Sequence, residues 1–337
     1  MKKINLYFLL VLLALFAGCK KSDDDDDRTG DWARKADFEG VPRNAAFSFT
    51  VGSYSYVGTG YDGDDRLTDM WMYDSTKNTW YQMAAFPGKA RSNAVAFAVN
   101  GKGYVGTGYD GDNALNDFYE YDPTTNTWKQ VADMPVAGRY NAVAFTIGNI
   151  GYVGTGRDGD DKDQADFYSY DPTSNTWAKI VSLGVKRSGA FAFVIDNKAY
   201  VGGGINNGSY ETQFYEFEPA RGTWIEKRDL NRSDDDDNDD DNDDDDYNLS
   251  RAYASCFVIG SNGYITGGTN GGSLLNTYRY DVADDFWVEV DAFEGSARQY
   301  AASFTAGGKG FVVTGSNGAS RYDDNWMFDP TISDDED

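Results

Sequence analysis

One stretch of this chain recurs at near-constant spacing. Tyr56-Val57-Gly58-Thr59-Gly60 returns at Tyr104 to Gly108, Tyr152 to Gly156 and Tyr200 to Gly204, a period of 48 residues. Weaker copies at Tyr264 to Gly268 and Phe311 to Gly315 bring the number to six, and an acidic insertion accounts for the one long gap. Six copies of one unit at a period close to 50 are the mark of propeller blades, each stacked on its neighbours. At 337 residues the length suggests about two domains, but the repeats run from Val41 to Pro330 without a change of style, so one closed domain is the better reading.

The second unit shows how a blade is written. Asn93 to Val99 is an apolar strand, Asn100-Gly101 a tight hairpin signal, and Gly103 to Gly108 the next strand. A loop from Tyr109 to Asn116 follows, then Asp117 to Tyr121 alternates as a third strand, the turn Asp122-Pro123-Thr124-Thr125-Asn126 reverses the chain, and Trp128 to Asp133 makes the fourth. Aromatic pairs recur at Tyr73 and Trp80, Tyr121 and Trp128, Tyr170 and Trp177, Phe217 and Trp224, and Tyr280 and Trp287, placed to pack one blade on the next. The sixth unit stops at Phe328-Asp329-Pro330 without its last tryptophan, and the missing piece stands at the other end: Asp31-Trp32-Ala33-Arg34-Lys35-Ala36-Asp37-Phe38 reads like Thr127 to Met134. The N-terminal strand is therefore expected to complete the last blade of an all-β, six-bladed propeller, a closure that removes open sheet edges.

Glycines after an apolar run, then a tyrosine, then a tryptophan at a set distance resemble the kelch repeat, over about 290 residues. Units one to three read Gly-Thr-Gly, and unit six Val313-Thr314-Gly315, where most kelch units carry two adjacent glycines. The resemblance brings two activities into view. Galactose oxidases of the superfamily need histidines for copper and a tyrosine coupled to cysteine; the chain has no histidine, so that activity is rejected, and with it a Ser-His-Asp arrangement and the usual zinc site. A sialic acid mutarotase among six-bladed kelch proteins needs only arginine and carboxylate-type groups around the channel, and a sugar mutarotase or epimerase is retained as the alternative to a binding module.

The formal charge of −25 is concentrated rather than general. Asp23 to Asp27, Asp234 to Asp246 and Asp334 to Asp337 contribute 5, 11 and 4 acids, so the body is only mildly acidic and nucleic acid is excluded as a partner. Residues 1–18 join Lys2-Lys3 to the apolar run Leu6 to Phe16 and end Ala17-Gly18 before Cys19, a secretory signal too short for a comfortable membrane span. The small residues before Cys19 resemble the lipobox of bacterial lipoproteins, in which the cysteine becomes lipidated after cleavage; Phe16 stands where leucine is usual. Residues 19–30 then form an acidic tether, and Ser22 followed by aspartates resembles the export signal of surface lipoproteins. The resulting division is signal 1–18, tether 19–30, propeller 31–330 with an acidic insertion at 233–246, and an acidic tail 331–337. The expected location is the outer membrane, at the cell surface, held by the lipid.

Three sets of residues are candidates for chemistry. Arginines stand before the innermost strand of every unit, at Arg43, Arg91, Arg139, Arg187, Arg251 and Arg298, where they would ring one mouth of the channel. Two readings are open: a bidentate site for carboxylate or sulfate, or ties from blade to blade through backbone carbonyls and loop aspartates. Tyr140, Tyr253 and Tyr300, close after arginines, would supply stacking and hydrogen bonds to a glycan or protein ligand. The loops holding Asp62 and Asp64, Asp110 and Asp112, and Asp158 and Asp160 are oxygen-rich enough for calcium, the one cofactor in view, and are also what a tight turn needs. Cys256 lies in an apolar stretch and reads as a small buried hydrophobe rather than a nucleophile, and no general acid or base stands out. The overall reading is a surface lipoprotein whose kelch propeller binds glycan or protein; a third possibility is an assembly role at the outer membrane.

Overall fold

The computed structural model describes residues 28–232 and 247–332; the signal segment, Cys19, the 233–246 tract and the last five residues lie outside the described residues. Six four-stranded antiparallel sheets follow one another round a ring. Blade 1, for example, runs Phe47–Val51, Tyr54–Gly58, Met70–Asp74 and Thr79–Met83 from the axis outward. No helix is present among the described residues.

The last sheet joins Ala302–Ala306, Lys309–Val313 and Asn325–Asp329 to the N-terminal strand Asp31–Lys35, with Trp32 opposite Phe328 and Arg34 opposite Trp326. Trp32 is 3% exposed, packs edge-on against Phe293 at 4.8 Å and donates from its indole to the Asp291 carbonyl. The closure expected from the copied Trp32 motif is the one observed.

Blades hold together through the repeated aromatics. Tyr121 of blade 2 lies against Tyr56 and Phe49 of blade 1, at 5.4 and 6.3 Å, and such pairs add about 1 kcal/mol each beyond area burial. The second-strand glycine lets the neighbour in: a Cβ on Gly103 would stand 2.3 Å from the Phe49 ring. The tryptophans also act as latches, for the Trp128 indole donates to Ala84 and the Trp177 indole to Ala132, each in the preceding blade. The turn asparagine beside them sits at positive φ, and Asn126 Oδ1 accepts from both the Tyr121 hydroxyl and the Ala84 amide.

Because strands alternate in direction, the hairpin turns lie on one face, and the loops joining second to third and fourth to first strands lie on the other. The N-terminal strand enters its blade from the hairpin face, where the Gly30 amide bonds the Ile332 carbonyl. The arginine-bearing loops are on the opposite face.

Candidate functional site at the channel mouth

The six arginines are not open to the channel. Each is between 0% and 3% exposed. Arg43 grips the carboxylate of Asp69 with two nitrogens, at 2.6 and 2.8 Å, and the Thr59 carbonyl at 2.9 Å. Arg91 with Asp117 and Arg298 with Asp324 repeat this geometry, and Arg139 pairs with Asp166 at 2.7 Å. Most of the guanidinium groups also stand over an aromatic ring, as Arg43 does over Phe38 at 4.9 Å. The ligand-ring reading is thereby corrected, and the tie reading is refined: the side chain clamps its own blade, while the arginine main chain joins blades, the Arg91 carbonyl accepting from Gly60 and the Arg139 carbonyl from Gly108. The clamped carbonyls belong to Thr59, Thr107 and Thr314, at φ of 58°, 58° and 64°, where a β-branched residue is strained.

Two clamps lack their acid. Gln213 and Asn276 stand where the other blades have aspartate, and only their main-chain carbonyls reach Arg187 and Arg251. Burial pushes both guanidinium groups down to about 10, with Glu211 opposing the shift at Arg187 and Tyr278 and Glu289 at Arg251. Nε and Nη2 of Arg187 are buried without a hydrogen-bond partner among the described residues.

Two residues beyond each arginine, the chain turns left-handed in every blade: Ala45, Asn93, Asn141, Gly189, Tyr253 and Tyr300 have φ between 52° and 64°. Their main chains form a closed ring. Each amide donates to the carbonyl of its counterpart in the preceding blade, from Ala45 to Tyr300 at 2.8 Å round to Tyr300 to Tyr253 at 3.1 Å. The side chains of this ring edge a mouth of about 140 Å³, below which an axial cavity of about 270 Å³ is lined mostly by alanines with Ser48, Ser303 and Cys256. Cys256 thus lines the channel rather than the interior of a blade; burial pushes its thiol up to about 11, so it is no ready nucleophile.

The ring is chemically lopsided. Tyr253 and Tyr300 stack face to face with centroids 4.1 Å apart, and Gly189 makes the room, since a Cβ there would lie 2.2 Å from the Tyr253 ring. Tyr140 stands across from Tyr109 at 5.2 Å and donates to Asp161 at 2.6 Å; burial and that carboxylate push its hydroxyl well up. Burial and Tyr253 likewise push the Tyr300 hydroxyl up. The three tyrosines expected from the sequence therefore lie on the mouth face, with Tyr253 and Tyr300 in direct contact.

Residues the sequence reading missed complete the rim. Arg66 lies over the rings of Tyr61 and Tyr109, at 5.3 and 4.9 Å, and Arg321 lies over Tyr61 at 4.9 Å. Arg157, which replaces these tyrosines at the head of the third loop, pairs with the buried Asp163 at 3.1 Å. Their signal was a basic residue in an otherwise acidic or glycine-rich loop, alone at Arg66 and Arg321 and accompanied by Lys162 at Arg157.

The aspartate loops are turns. Asp62 Oδ1 accepts from the amides of Asp64 and Asp65, Asp110 from Asp112 and Asn113, and Asp158 from Asp160 and Lys162. These amides hold the Asp62 carboxyl below the usual carboxylate range, and Lys89 does the same for Asp110. Among the described residues no three acidic, cysteine or histidine side chains converge on one point, so Asp62, Asp64, Asp110, Asp112, Asp158 and Asp160 form no calcium cage.

Residues 32–186 match the KLHDC2/KLHL20/DRC7 Kelch-repeats domain. The fold is a six-bladed kelch-type propeller. The solved structure titled "Structure of YjhT" superimposes with a TM-score of 0.72 over 87% of this chain and 96% of that one, at 17% identity, a likeness of fold. No curated protein matches the chain.

Proposed function

We propose that this kelch propeller is a binding module that takes a glycan or a protein segment on its channel mouth. The observation that carries the reading is the Tyr253–Tyr300 stack. Two bulky residues are held at φ of 57°, a conformation costing on the order of 1 kcal/mol each, where asparagine, alanine or glycine serves in the other four blades. Strain retained at two neighbouring positions, over a mouth cleared by Gly189, fits a ligand platform better than a packing role. Stacked tyrosines present a flat apolar face, the Asn93 and Asn141 side chains bring amides, and Arg66, Arg157 and Arg321 supply cations around it.

The same reading places the module on a lipid anchor at the cell surface. In support, the N-terminal strand leaves the propeller on the hairpin face, so a tether running from residue 28 back to Cys19 would turn the mouth outward from a membrane.

A glycan array probed with residues 28–337, followed by thermal melts with the hits, tests the proposal. Binding that drops at least about tenfold in Tyr300→Asn supports it, since hydrogen bonds and stacking on one ring amount to 1–2 kcal/mol. Binding unchanged in Tyr253→Asn and Tyr300→Asn would move the site elsewhere. Anomerisation rates measured on the same hits separate binding from sugar turnover.

A further inference from the structure

Blades 2 and 4 carry the same small network on the hairpin face. Glu120 accepts from Lys102 and from the Tyr104 hydroxyl at 3.0 Å, and Glu216 accepts from Lys198 at 2.7 Å and the Tyr200 hydroxyl at 3.1 Å. Blade 5 keeps the tyrosine and changes both charges. Tyr264 stands opposite Arg279 in the register that sets Tyr104 opposite Glu120 and Tyr200 opposite Glu216. Asn262, opposite Ile259, takes the lysine's place.

The change leaves a cation without an anion. Nε of Arg279 is buried with no hydrogen-bond partner, and among the described residues no carboxylate pairs with its guanidinium. Arg279, Tyr264 and Asn262 face a cavity of about 230 Å³ between blades 5 and 6, whose apolar wall includes Ile259, Val290 and Phe328. An apolar cavity of about 150 Å³ accommodates benzene, so the space suits a ring with one polar substituent. An unpaired buried guanidinium donor costs roughly 1–3 kcal/mol, a cost that an anionic acceptor removes.

We propose that this cavity is a carboxylate site, separate from the mouth. A small monocarboxylate with an apolar body sets its carboxylate between Arg279 and the Tyr264 hydroxyl, accepting from both, while its body lies against Ile259, Val290 and Phe328. The blades supply their own control, because Asn262→Lys with Arg279→Glu rewrites blade 5 in the pattern of blades 2 and 4.

Benzoate, the neutral isostere benzamide, and inorganic phosphate are titrated calorimetrically into residues 28–337, which contain the whole closed ring. Expected is saturable benzoate binding, none with benzamide, and a loss of at least about tenfold in both the N262K/R279E double variant and R279Q, which removes the charge but keeps a polar side chain. Three results each overturn the proposal: no benzoate binding up to about 20 mM, well beyond the millimolar range of a weak site; equal binding in parent and variants; or phosphate binding as tightly as benzoate, which would make Arg279 an unselective anion contact.

Discussion

Gln213→Asp should stabilise this protein, although it adds a negative charge to a chain already at −25. Arg187 has no surface exposure, and burial lowers its pKa from the ordinary guanidinium value to about 10. A cation so displaced disfavours the folded state by about 3 kcal/mol at neutral pH, at 1.36 kcal/mol per pH unit. Four other blades meet the same arginine with aspartate, and an aspartate at 213 would reproduce the two-nitrogen grip of Asp69 on Arg43. The new carboxylate is itself desolvated, so the net gain is about 1–2 kcal/mol, equivalent to about 2–6 °C in melting temperature for a domain of this size. The pH dependence carries a sign. A base with a depressed folded pKa destabilises fully below about 10 and ceases to do so as pH rises towards its ordinary, unfolded value, so the advantage of the variant is largest below pH 10 and shrinks above it. Urea unfolding followed by tryptophan fluorescence at pH 7 and pH 10.5 gives the measurement. A neutral or destabilising Q213D would show that Arg187 is already compensated and would refute the reasoning.

Trp32→Ala removes the closing side chain and should cost about 3–5 kcal/mol in urea unfolding, whereas a cost near 1 would mean the ring does not depend on its N-terminal strand. Tyr300→Asn takes the residue that blades 2 and 3 use at the same left-handed position, and is expected to hold stability within about 1 kcal/mol while reducing glycan binding; a large loss of stability instead would make the stack structural. Below pH 4 the chain should lose stability through its clamps. Burial alone would raise Asp69 and Asp324, but hydrogen bonds and charge from Arg43 and Arg298 outweigh it and hold both carboxyls below their ordinary 3.8, so their contribution is complete above that value and falls away as pH drops through the depressed one. Urea midpoints that fall equally between pH 5 and pH 3 in the parent and in Asp69→Asn/Asp324→Asn would contradict this.

The sixfold repetition made the fold legible, because each strand, turn and aromatic pair was seen several times and the odd strand at the N-terminus was recognisable as a copy of Thr127 to Met134. The same repetition misled at the arginines. A recurring cation before an inner strand suggested a ring of ligand groups, but in four of the six blades its direction is decided by an aspartate 26 or 27 residues on. The left-handed ring also had a trace in the sequence: Asn93, Asn141 and Gly189 tolerate positive φ, and their register identifies Tyr253 and Tyr300 as exceptions. What spacing could not disclose was contact across blades, such as Arg66 between Tyr61 and Tyr109, because that depends on loop shape rather than on period.

Equal positions in a ring must make equal contacts, so a departure in one blade either costs stability or does something the other blades do not. Here the departures fall together. Gln213 and Asn276 strip the acids from Arg187 and Arg251, and these arginines come two residues before Gly189 and Tyr253, the pair whose fit lets Tyr253 stack on Tyr300. Strain and uncompensated positive charge therefore lie under the same side of the mouth. In a low-dielectric interior that charge reaches the overlying rings weakly screened, which favours ligands whose oxygens point inward over those presenting cations. A stabilising Q213D that also weakens binding at the mouth would tie the missing acids to recognition, and one that stabilises with binding unchanged would leave them as drift in a fold stable enough to carry it.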